Sequence, residues 1–181
     1  MPALRAILFD LDDTLCDEMG CFGACIEATC RLAAGQLGLA QWQPLARIYH
    51  RVGNALWLDF DSWGRGLGKI GVRRHVWRAA LSAAGHSCDE SLVCQIADHY
   101  ADLRTRNHRY LPGVKPVLMN LRRSYQIALI TNGSTEVQRE KIAALDLHRL
   151  CHTSLVAEEC GCSKPHPRMF QQVMDTLGVT P

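Results

Sequence analysis

Apolar positions along the chain follow two different periods, and the switch between them separates a sheet-forming part from a helical part. The run Ala6, Ile7, Leu8, Phe9 is short and continuous, as in a strand buried on both faces. After Thr14 the spacing turns helical and stays so to about Asn107. Phe22, Cys25, Ile26 and Thr29 form one stripe, and Leu45, Ile48, Tyr49, Val52 and Leu56 a second. Val72, Val76, Trp77, Ala80 and Leu81 form a third, and Val93, Ile96, Tyr100 and Leu103 a fourth. Four amphipathic helices of this kind make a small bundle. Their boundaries are marked by Pro44, by the glycines at 64, 66, 68 and 71, by Gly85, and by a capping box over Ser87, Cys88, Asp89 and Glu90.

From Leu111 the pattern returns to alternating elements. Val114, Val117, Leu118 and Leu121 make a helix face; 126–130 reads as a strand, 135–145 as a helix and 154–157 as a strand. Phe170, Val173, Met174 and Leu177 then mark a helix over 170–178. Strands alternating with helices predict an α/β fold with a parallel sheet covered on both faces. The chain therefore divides into a discontinuous α/β core, residues 1–15 and 109–181, and a helical insertion, residues 16–108. Ligands in such sheets sit at the carboxyl ends of the strands.

Chemistry-bearing residues stand at those ends. Asp10 and Asp12, within Asp10-Leu11-Asp12-Asp13-Thr14, leave the first strand two residues apart, so both carboxylates can face one small substrate. One can attack while the other handles a proton. Thr131, Asn132 and Gly133 close the second strand, and Lys164 lies in the segment Gly161-Cys162-Ser163-Lys164-Pro165-His166-Pro167. Taken singly, the first two clusters read as turns and the lysine as a solvated charge. Their joint order favours one site.

An acidic pair after a first strand, Thr-Asn-Gly after a second and Lys-Pro later resemble the haloacid dehalogenase-like (HAD) hydrolase superfamily. Leu111-Pro112-Gly113 before a helix and the helix after Lys-Pro strengthen the match. The region from Thr131 to Pro181 is most similar to the helical-cap phosphatases acting on sialic acid 9-phosphate or nucleoside monophosphates. The resemblance implies a Rossmann-like core with an inserted helical cap that closes over the active site. It implies hydrolysis of a small phosphomonoester, a sugar phosphate or nucleoside monophosphate, through an aspartyl phosphate on Asp10. Asp12 would be the acid and base, and Thr131 with the N–H groups of Asn132 and Gly133 would hold phosphoryl oxygens. Lys164 would supply positive charge. Mg2+ is the implied cofactor, held by the Asp10 carboxylate and the Asp12 backbone carbonyl. Asp12 favours phosphatase over dehalogenase, since the dehalogenase branch lacks this second carboxylate. The alternative is a non-catalytic HAD-fold binding or regulatory protein without a complete metal site.

The superfamily's last motif, an acidic Gly-Asp segment after a further strand, is expected shortly after Gly178-Val179-Thr180. With the sequence ending at Pro181, the last core strands and part of the metal site are expected to be absent, leaving Ile7 to Phe9 on an apolar edge prone to association. Weak magnesium binding and little activity of these 181 residues follow as expectations.

Composition narrows the partners. A net charge of +2 and a pI near 8.1 demand no nucleic acid, and no apolar stretch reaches membrane-spanning length. Met1 to Arg5 enter the first strand without a signal-peptide core, so a cytoplasmic setting with reduced cysteines is expected. The nine cysteines show no Cys-x-x-Cys zinc spacing and read as small apolar side chains. Ser134 with His148 or His152 lacks a Gly-x-Ser-x-Gly elbow, and the run 64–69 lacks Walker spacing. That run reads as a flexible cap loop; Trp57, Trp63 and Trp77 read as cap core, the alternative being a loop on which Trp63, Arg65 and Lys69 face an anionic substrate. Arg47, Arg51, Arg73 and Arg74 read as solvated faces.

Overall fold

A computed structural model describes residues 4–87 and 89–180. They form two compact units, one of Met1–Glu18 with His108–Pro181 and one of Met19–Asn107.

The first unit is built on three parallel strands, β1 Ala6–Phe9, β2 Gln126–Thr131 and β3 Thr153–Val156, in the order β1-β2-β3. Ala6 pairs with Gln126 and Phe9 with Leu129; Ala128 pairs with Thr153 and Thr131 with Val156. Alternation along β2 sends Ile127 and Leu129 to one face and Ala128 and Ile130 to the other, and both faces are buried. On the first face Leu118 of helix α6 (Val114–Leu121), Ile142 of α7 (Thr135–Ala144) and Leu147 of α8 (Leu147–Leu150) complete the core. On the second, Cys160 of α9 (Ala157–Cys160) and Met169 and Val173 of α10 (Pro167–Leu177) do so. Helix α10 starts on Pro167, whose missing N–H costs nothing there, and ends at Gly178 with φ 64. Among the described residues β1 has β2 on one side only, and its four residues are half-buried.

The second unit holds α1 Glu18–Gln36 from its second residue on, with α2 Gln43–Leu58, α3 Phe60–Trp63, α4 Gly68–Ala83 and α5 Glu90–Asn107. Trp77 is fully buried at its centre against Tyr49 and Tyr100, with Ile26, Leu45, Leu81 and Ile96 around them.

Several sequence expectations need correction. Ala157 begins α9 rather than ending β3, because the Glu159 carboxylate accepts a hydrogen bond from Val156 N–H and turns the chain into a helix. At the start of α5 the Asp89 carboxylate accepts from Leu92 N–H at 2.8 Å, so Asp89 is the cap and not Ser87; Cys88 lies outside the described residues. The glycine-rich run is no open loop. Gly68 starts α4, Arg65 pairs with Asp61 at 2.8 Å, and Trp63 donates to the Leu56 carbonyl and stacks on His75. Arg73 is buried rather than solvated, since it stands on the same face of α4 as Val72, Val76 and Trp77.

Candidate active site

The site is assembled where β1 and β2 end. Because Phe9 pairs with Leu129, β2 runs two residues further than β1, and this sets Thr131 to Gly133 beside the chain leaving at Asp10. Beyond Asp10 the backbone folds into a tight turn in which the Leu11 carbonyl accepts from both Leu15 and Cys16 N–H at 2.9 Å. Asp13 occupies the left-handed region with φ 55, a conformation Asp tolerates better than most residues. The turn fixes Asp12 relative to Asp10 and directs the two carboxylates to different partners.

Asp10 Oδ1 accepts from its neighbour Leu11 N–H at 2.7 Å and from Lys164 Nζ at 2.6 Å. The same ammonium donates to the Ile130 carbonyl at 3.0 Å, which anchors it to the end of β2. Lys164 is also held through its backbone: its N–H donates to Asn132 Oδ1 at 2.7 Å, and Asn132 Nδ2 donates back to its carbonyl at 3.3 Å. Asn132 therefore clamps the lysine-bearing loop to the end of β2.

Asp12 is engaged from α7. Lys141 Nζ stands 2.8 Å from Asp12 Oδ1 and 3.1 Å from Glu18 Oε2. Gln138 Nε2 lies 2.9 Å from Asp12 Oδ2, 2.7 Å from Thr131 Oγ1 and 2.8 Å from the Asn132 carbonyl. A carboxylate and a carbonyl offer only lone pairs, so the amide must present its NH2 to them, and Thr131 Oγ1 is left to donate toward the Asn132 carbonyl. Gly133, with φ 105, makes the turn from β2 into α7; a Cβ there would meet Gln138 only at ordinary contact distance, so backbone conformation and not space calls for glycine. At the start of α7 the Glu158 carboxylate accepts from Thr135 N–H at 2.7 Å.

All six residues singled out in the sequence thus fall in one unit. Lys164 touches Asp10 and Asn132 directly, while Thr131 and Asn132 are joined to Asp12 through Gln138. Ser134 and the two histidines do not assemble a second site: Ser134 is buried at the start of α7, His152 accepts from Ile127 N–H, and His148 lies beside Asp146. Sequence reasoning missed Gln138, Lys141 and Glu18. The signal was present in α7 and its two flanking cap residues, where Ser134, Gln138, Lys141, Ile142 and Leu145 recur at helical spacing and polar residues stand on a buried stripe.

Residues 4–181 match the haloacid dehalogenase-like hydrolase family. The chain belongs to that family. Among its curated relatives, the phosphoserine phosphatase of Thermus thermophilus is 29% identical over 198 residues, covering 98% of this chain and 78% of the relative. The N-acylneuraminate-9-phosphatase of Rattus norvegicus is 26% identical over 192 residues, covering 100% of this chain and 72% of the relative. Among solved structures, the putative HAD-hydrolase YfnB of Bacillus subtilis, bound to magnesium, superposes with a TM-score of 0.67 at 23% identity. That likeness covers 97% of this chain and 73% of that one and confirms the α/β fold of the family. No helix among the described residues is long and apolar enough to cross a membrane.

Proposed function

We propose that the chain is a magnesium-dependent phosphomonoester hydrolase acting on a small phosphorylated metabolite, a sugar phosphate or nucleoside monophosphate, through an aspartyl phosphate on Asp10. The observation that carries this reading is the separate provision for the two carboxylates. Asp10 faces a lysine that also reaches the end of β2, whereas Asp12 is held by Gln138 and Lys141.

In this scheme an Asp10 carboxylate oxygen attacks phosphorus in line as the bond to the ester oxygen breaks. Asp12, protonated, gives its proton to the departing alkoxide. It then takes a proton from the water whose oxygen attacks the acyl phosphate, releasing inorganic phosphate and restoring Asp10. The Thr131 hydroxyl and the N–H groups of Asn132 and Gly133 bind phosphoryl oxygens, and the Lys164 ammonium offsets their charge. A halide leaves carbon without needing a proton. A second carboxylate held by two side chains therefore fits an oxygen leaving group and not a dehalogenation.

The donors at the turn fit magnesium. The Asp10 carboxylate and the Asp12 backbone carbonyl are hard oxygens, and an ion that keeps several waters and a substrate phosphate needs few protein ligands. When bound, the ion would neutralise charge on the phosphoryl oxygens. Among the described residues no group of three His, Cys, Asp or Glu side chains is placed to hold a metal, and this is the observation that favours the rival reading, a phosphoester-binding protein without turnover.

Phosphate release from a panel of sugar phosphates, nucleoside monophosphates and phosphoamino acids, with magnesium, separates the two. Turnover on at least one ester is expected, low at ordinary magnesium because binding by these 181 residues is expected to be weak, and raised by excess magnesium. It should be abolished in Asp10→Asn, because an amide cannot form the acyl phosphate. Absence of release across the panel, or turnover surviving in Asp10→Asn, would contradict the proposal; binding without release would establish the rival.

A further inference from the structure

The phosphatase scheme needs an Asp12 carboxyl in one place, and it does not by itself say what keeps it there. Both oxygens of that carboxylate are occupied from α7, Oδ1 by Lys141 Nζ at 2.8 Å and Oδ2 by Gln138 Nε2 at 2.9 Å. A carboxylate held at both oxygens from one rigid helix loses its freedom of rotation about both side-chain bonds. Lys141 is only 4% exposed and is shared with Glu18 Oε2 at 3.1 Å, while Gln138 also grips Thr131 Oγ1. Stability does not account for this arrangement. Burying an ammonium between carboxylates costs desolvation that apolar packing avoids, and Ile142 and Leu145 on the same stripe show what a stabilising residue there looks like.

We propose that Lys141 and Gln138 are positioning residues that fix the Asp12 carboxyl for proton transfer to the leaving oxygen, with Glu18 holding Lys141 in place and Thr131 brought into register through Gln138. The proposal rests on the phosphatase reading of Asp12. It makes α7 the element that couples the phosphate-binding end of β2 to the proton-transfer group on the turn after β1.

A leaving-group comparison in the purified chain tests it. The parameter kcat/KM covers steps through departure of the leaving group, and p-nitrophenolate departs without a proton while an alkoxide needs one. Lys141→Met should lower kcat/KM for an alkyl phosphate about 10²-fold, the scale of a misplaced catalytic group, and for p-nitrophenyl phosphate less than about 3-fold. Lys141→Arg should recover most of the alkyl activity. In an Asp12→Asn background, Lys141→Met should add less than about 3-fold, because the residue it positions is already gone. Equal losses on both esters, or a full multiplicative loss in the Asp12→Asn background, would overturn the proposal while leaving the phosphatase reading intact. Should Lys141→Met lose its cooperative thermal transition, Gln138→Leu removes no charge. It releases Thr131 Oγ1 and the Asn132 carbonyl as well as Asp12, which lowers both esters alike, so a further loss on the alkyl ester alone supports the proposal and its absence overturns it. If the wild-type chain releases phosphate from neither ester, the phosphatase reading fails and this proposal falls with it.

Discussion

Replacing Lys164 by Met removes one charge and two hydrogen bonds while keeping the length of the side chain. The ammonium lies 2.6 Å from Asp10 Oδ1 and 3.0 Å from the Ile130 carbonyl. A unit charge pair at that separation is worth about 1.6 kcal/mol in bulk water and about 6 kcal/mol at an effective dielectric near 20. In the resting site the Asp10 side chain is 47% exposed and that of Lys164 21%, so the pair sits toward the water end of that range. Its contribution to folding should be no more than about 1 kcal/mol. With a phosphomonoester bound, water is displaced and the same charge faces the phosphoryl oxygens, where loss of one preorganised group costs about 3 kcal/mol, roughly 10²- to 10³-fold in turnover. The expected outcome is a large fall in kcat/KM with a melting temperature nearly unchanged, read by phosphate release and thermal denaturation on the same sample. Unchanged kinetics would refute the electrostatic role. A collapse of stability matching the loss of activity would show the lysine to be structural.

Two further outcomes follow from the geometry. Burial pushes the Cys30 thiol up to about 12, the Cys151 thiol up to about 11 and the Tyr110 hydroxyl up to about 12. The folded chain thus keeps protons that the unfolded chain releases. The stability the two thiols contribute is intact below about pH 8.5 and drains away as pH rises through the folded values, by up to about 1.4 kcal/mol per pH unit for each. For Tyr110 the loss begins only near about pH 10 and is smaller, because its side chain is partly solvated. Denaturant midpoints should fall above about pH 8.5, and Cys151→Ala should flatten the slope; a midpoint flat to about pH 11 would contradict the burial argument. Gly133→Ala places a side chain at φ 105, so it should lose on the order of 1–3 kcal/mol by thermal melt from backbone strain alone, and a neutral substitution would show that the turn relaxes.

Much of this fold was legible because periodicity reports burial. The continuous apolar run at Ile127 to Ile130 marks a strand covered on both faces, and the four stripes of the insertion match α1, α2, α4 and α5. Element ends were less legible, because they depend on single hydrogen bonds: Glu159 to Val156 N–H ends β3 a residue early, and Asp89 rather than Ser87 caps α5. Of the candidate site residues, Asp10, Asp12, Thr131, Asn132, Gly133 and Lys164 stand at strand ends or in a loop, where sequence marks them. Gln138 and Lys141 stand in mid-helix, and their meaning depends on which residue lies across from them. Periodicity alone cannot show that a buried lysine faces an aspartate 129 residues earlier. The same holds for Arg73, charged in sequence yet folded into the interior of its helical unit.

Chemical trapping tests directly whether phosphate passes through Asp10. The purified chain is mixed with magnesium and a phosphomonoester, quenched, and treated with borohydride, which reduces an acyl phosphate to an alcohol and leaves free carboxylates untouched. Peptide mass spectrometry should find the reduced residue at position 10, dependent on substrate and absent from Asp10→Asn. Turnover with Asp10 unmodified throughout, or reduction appearing at Asp12 instead, would contradict the account.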